Sequence, residues 1–136
     1  MGHQSLVYGV IEVFPSEPKR PEADARTLAA LAALPDKDDW PFLVRSMFNA
    51  TFNEHVSVAY WLRPIHFAAS LKTVEWEWEE WLIKFERLLS TLDGLTAIVH
   101  LETELVGNHV YKWRRRHSNL GSWPPEWNFE GAPRSF

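Results

Sequence analysis

His100, Glu102 and Glu104 alternate along the run Val99-His-Leu-Glu-Thr-Glu104. On a β-strand successive side chains point to opposite faces, so these three share one face while Val99, Leu101, Thr103 and Leu105 take the other. An imidazole beside two carboxylates can carry out acid–base chemistry or hold a divalent cation. Glu12 and His66 stand in two other β-type runs and join the set if those strands are neighbours. The candidate catalytic residues are therefore His66, His100, Glu102 and Glu104, and the candidate metal ligands Glu12, His100, Glu102 and Glu104. A plainer alternative makes them the solvent-facing positions of a hairpin. Lys112, Arg114 and Arg116 would then match them across the ladder, at about 0.2–1 kcal/mol per pair.

Other chemistries lack their residues. There is no glycine-rich phosphate loop, no G-x-S-x-G elbow and no H-E-x-x-H pair, which removes the usual bases for nucleotide hydrolysis, serine hydrolysis and zinc proteolysis. Ser70, near His66, has no spacing that marks a triad. With no cysteine in the chain, disulfides, thiolate nucleophiles and iron–sulfur clusters are excluded. No cofactor is expected.

A second constellation lies between Glu75 and Leu92, where three tryptophans and five glutamates fall within one helical pattern. Trp78, Trp81, Leu82, Phe85, Leu88, Leu89 and Leu92 recur at spacings of three and four and form a broad apolar stripe. Trp76 and Ile83 lie off it. Glu80 and Lys84 form an i,i+4 pair, Thr73 is the expected N-cap, and Gly94 ends the helix. Charge is concentrated here: residues 75–104 hold eight acids against Lys84 and Arg87, a net −6 within a chain of net charge −4. Such a sector repels phosphate backbones and steers basic proteins toward it. Glu75, Trp76, Glu77, Glu79 and Glu80 are accordingly the candidate partner-binding residues, and nucleic acid is not an expected partner. The short basic cluster Lys112–His117 reads as a counter-charge to this sector.

These residues need a frame. Leu6–Phe14 is rich in β-branched and aromatic residues and reads as an inner strand, apolar on both faces. Pro21, Glu22 and Asp24 suit a helix start, followed by a narrow alanine-rich stripe to Leu34. Val56–Leu62 begins another β-type run, which Pro64 interrupts and Ile65–Ser70 continues. Leu95–Leu105 and His109–Arg116 read as a hairpin around Gly107-Asn108. The order β-α-β-β-α-β predicts an α+β, ferredoxin-like (split β-α-β) fold with one added hairpin strand. At 136 residues the chain is expected to be one domain, with residues 1–117 as core and 118–136 as a Pro/Trp-rich tail without regular structure that packs back on the sheet. Trp61, Trp76, Trp123 and Trp127 are the candidates for exposed tryptophans. They suit a protein-binding hot spot or a sugar-stacking platform. No basic region followed by an apolar segment opens the chain, and no apolar run is long enough for a bilayer, so a cytoplasmic location is expected.

The run His66–Glu104, with its Val-Glu-Trp-Glu-Trp-Glu-Glu-Trp-Leu centre and Val-His-Leu-Glu-Thr-Glu end, resembles a pattern in small bacterial immunity proteins of polymorphic and contact-dependent toxin systems. Those proteins are compact, acidic, cysteine-poor cytosolic α+β domains. The resemblance implies a non-catalytic inhibitor whose partner is a cognate toxin domain, a basic nuclease or other nucleic-acid-modifying enzyme. It carries over no functional residue, because such inhibitors share no catalytic motif. The alternatives are a small metal-dependent or acid–base enzyme built on the His/Glu set, and a small-ligand or sugar-binding module built on the tail.

Overall fold

Alternation of apolar and polar residues dictates a sheet with one buried face, and the described residues build it from six antiparallel strands. The structure, a computed structural model, describes residues 3–13, 22–50, 63–92, 94–116 and 126–136, and for 22–24 the backbone only. The elements run β1 (Gln4–Val13), α1 (Glu22–Ala32), β2 (Phe48–Ala50), β3 (Arg63–Lys72), α2 (Trp78–Leu89), β4 (Gly94–Thr103), β5 (Asn108–Arg115) and β6 (Trp127–Gly131). They order themselves as β2-β3-β1-β4-β5-β6. Thus β3 lies between β1 and β2, the two strands that flank α1 in sequence. Likewise β1 lies between β3 and β4, which flank α2. The fold is mixed α+β.

In β1 the odd positions Val7, Ile11 and Val13 are fully buried, and with Ile65, Phe67, Val99, Leu101, Tyr111 and Trp113 they form one side of the core. The other side is the stripe read from the sequence: Trp78, Trp81, Leu82, Phe85, Leu88, Leu89 and Leu92 are all buried. Aromatic contacts fasten the two, with Phe85 between Phe67 and Trp113 and Trp78 against Tyr111. A residue larger than glycine does not fit at Gly9, where a Cβ would stand 1.9 Å from the Ile98 carbonyl oxygen. That strand pair closes only around a bare backbone.

Four expectations need correction. β1 is inner but not apolar-buried on both faces; Leu6, Tyr8, Val10 and Glu12 lie on a face that no described helix covers. The long helix begins later than its pattern suggests: Val74–Glu77 forms a 3₁₀ turn and the α-helix starts at Trp78. Thr73 precedes that turn with a left-handed backbone (φ 48°) and no side-chain cap, its amide donating instead to the His3 carbonyl at 3.0 Å. The tail is not irregular throughout, since Trp127–Gly131 pairs with Arg115–Tyr111 as a sixth strand. Arg134 reaches back from it to the Glu86 carboxylate, which also accepts the Trp113 indole N–H at 3.0 Å. The predicted run Val56–Leu62, with Trp61, and Trp123 in the tail lie outside the described residues. Among the described residues no helix is long and apolar enough to cross a membrane.

Candidate functional site

The His/Glu set does fall on one sheet face, as alternation requires, but the strand order spreads it. Tyr8 in β1 stands opposite His100 in β4, and their rings stack at 4.9 Å and 6°. The Tyr8 hydroxyl donates to the Glu102 carboxylate. That hydrogen bond, then burial and the carboxylate's charge, hold the Tyr8 phenol above its ordinary pKa of 10.0. The shift keeps the phenol protonated, the opposite of what activating it as a base requires. Glu104 lies beyond the paired stretch and meets His3 at 2.8 Å. Glu12 accepts the Thr96 hydroxyl at 2.9 Å, four residues along β1 from Tyr8. His66 sits in β3 opposite Val10 and on the far side of β1 from His100. Two strand spacings and a register offset of two residues set their backbones roughly 12 Å apart. Among the described residues no three His, Asp or Glu side chains converge as a metal site.

The charge ladder expected opposite this set is also displaced. Register places Lys112 against Ile98 and Arg114 against Thr96, while His100 faces Val110 and Glu102 faces Asn108. Arg116 pairs instead with Glu126 at 3.1 Å. The basic cluster therefore does not lie across from His100 and Glu102, because the hairpin turn spans Glu104–Gly107 and leaves Lys112 four residues along β5 from Asn108, which Glu102 faces.

The acidic helix separates into two groups. Glu75 is 1% exposed and accepts the Ser5 hydroxyl, so it stands inside the protein and offers nothing to a partner. The reason was present in the spacing: residue 75 lies three before Trp78 on the stripe that continues to Leu82 and Phe85. Trp76, one residue on, is 53% exposed. Glu79 and Glu80 are exposed, and Glu77 is half-buried. Lys84 is not the partner of Glu80. Its ammonium donates to Asp38 Oδ2, Asp39 O and Pro41 O, each at 2.8 Å.

That last contact brings in a segment the sequence did not single out. Asp38–Leu43 runs along α2 and turns Trp40 and Phe42 outward, 37% and 40% exposed. The Trp40 indole N–H donates to Glu77 Oε2 at 3.1 Å. Burial alone would raise the Asp38 carboxyl, but hydrogen bonds from Lys84 and the Leu43 amide, with the Lys84 charge, outweigh it and hold the group below 3.8. The only available signal was composition: two aromatics beside three aspartates, Asp36, Asp38 and Asp39, in a stretch with no apolar periodicity.

The arrangement as a whole is a surface of exposed rings beside fixed and free carboxylates. No family model matches the chain, and no curated protein or solved structure does.

Proposed function

We propose that this chain is a non-catalytic binding protein that presents an acidic, tryptophan-bearing surface to a basic protein partner. The observation that carries the reading is the pairing of Trp76, more than half exposed, with the solvent-facing carboxylates of Glu79 and Glu80 and the half-buried Glu77. Large exposed aromatics are costly in water and are the residues that dominate binding energy when a partner covers them. Carboxylates around them speed the encounter with a cationic surface and exclude anionic competitors.

In its fuller form the reading is an immunity protein that binds and inhibits a toxin domain, a basic nuclease or nucleic-acid-modifying enzyme, in the cytoplasm. The resemblance of residues 66–104 supports it, as does an acidic face suited to occluding a cationic substrate channel. The placing of β3 between β1 and β2, and of β1 between β3 and β4, supports the ferredoxin-like reading, with β5 and β6 as additions to its edge. The contact set is Trp76, Glu77, Glu79 and Glu80, without Glu75.

The test is the protein captured with this chain from its own cell. It should be basic, and replacing Glu79 and Glu80 by lysine should slow association roughly tenfold at low salt with unfolding unchanged. A neutral partner, or equal association rates for the parent and the doubly substituted chain, defeats the proposal.

A further inference from the structure

The segment Asp38–Leu43 holds two large rings in solvent on a backbone fastened along its length. Beyond the three acceptors taken by Lys84, Trp81 Nε1 donates to the Phe42 carbonyl at 3.1 Å, and the Leu43 amide donates back to Asp38 at 3.1 Å. A segment so tied has given up its conformational freedom before any partner arrives. Its rings meet edge to face, 5.0 Å apart at 89°, and the bond from Trp40 to Glu77 sets a carboxylate at the indole edge. Rigid rings kept outward suit an anchor better than a core cover.

Beside Phe42 opens a recess of about 560 Å³, lined by Val44, Met47, Ala69 and Leu71 together with Asp36, Lys37 and Asp38. Its wall is mainly apolar, and its two carboxylates are paired, Asp36 with Arg45 and Asp38 with Lys84. Next to Trp40 stand the carboxylates of Asp39 and Glu77, and the Lys84 ammonium there is taken by Asp38.

We propose that this loop and recess anchor the partner: an aliphatic side chain enters the recess and a neighbouring arginine lies against Trp40 beside Glu77. The proposal rests on the reading of the chain as a binder of a basic protein, and it names the chemistry of the segment bound. A guanidinium suits the site better than an ammonium because it is weakly hydrated, stacks on an indole and still pairs with a carboxylate.

The probe is the capped tripeptide arginyl-leucyl-arginine, titrated into the full chain while the indole N–H resonances are followed. The Trp40 resonance should shift saturably, and a glutamyl-leucyl-glutamate control should leave it in place. Trp40→Ala should weaken peptide binding roughly tenfold or more. Ser46→Trp, at the exposed lip of the recess, should do the same while the Trp78 and Trp81 resonances stay put, which reports an intact core. A stationary Trp40 resonance, or undiminished binding by both variants, overturns the proposal. The captured partner separates the two ideas. If lysine at 79 and 80 slows association while Trp40→Ala changes nothing, the acidic-surface reading stands and this anchor falls. If Trp40→Ala weakens binding while the charge reversals change nothing, the anchor stands and the acidic-surface reading falls.

Discussion

Lys84 Nζ lies 2.8 Å from Asp38 Oδ2, joining the middle of α2 to a loop that precedes it by more than forty residues. With both side chains only about a fifth to a quarter exposed, this contact differs in kind from a surface ion pair. The ammonium has three donors and three acceptors, so the loop backbone is satisfied by one side chain.

Replacing Lys84 by methionine keeps the apolar stem and removes the donors. The variant should lose about 2 kcal/mol in urea unfolding, since it strands a part-buried carboxylate and two carbonyls. Amide exchange in residues 38–43 should accelerate. Asp38 is held below 3.8 in the fold, so its contribution is complete above that value and is lost as pH falls through the lowered folded pKa. The parent should therefore shed stability below pH 3.8, and the Lys84→Met chain should shed less of it.

Ser5 and Glu75 form the second internal polar contact, and both are buried. Ser5→Ala leaves a carboxyl without its donor and should cost about 1–3 kcal/mol, whereas Ser5→Ala combined with Glu75→Met should recover much of the loss, because the desolvated group is then gone. A double-substituted chain no more stable than Ser5→Ala alone would refute this account. Partner association should be unaffected by either change, in contrast to substitutions at Glu79 and Glu80.

The tyrosines of the sheet should titrate apart. Burial pushes the Tyr111 phenol up to about 12, and its hydroxyl donates to the Pro133 carbonyl at 2.7 Å. Tyr8 is raised first by its bond to Glu102. Alkaline difference absorbance should show Tyr8 ionising above 10.0 and Tyr111 later. Glu102→Gln should bring Tyr8 back toward its ordinary value and leave Tyr111 unmoved. A raised folded value means that each phenol's contribution is complete below pH 10.0 and is lost as pH climbs through the folded value.

The apolar stripe of α2 and the β4–β5 hairpin were legible because local periodicity fixes which residues share a face, whereas β1 reads as apolar on both faces and buries only one. The turn was legible as well, where Gly107 adopts φ 81°. Glu75 is buried although its charge suits the surface, because its position continues the stripe. A carboxylate can occupy such a place when a hydroxyl meets it, and Ser5 comes from a strand seventy residues earlier.

What the chain determined by itself is therefore the set of elements and the facing of most side chains within each. Tertiary structure alone decided the rest. Whether His66 reaches His100, whether Lys84 serves Glu80 or Asp38, and whether Trp40 points in or out all depend on strand order and on contacts between residues far apart in sequence. Periodicity along one element carries no information about the groups another element brings to it.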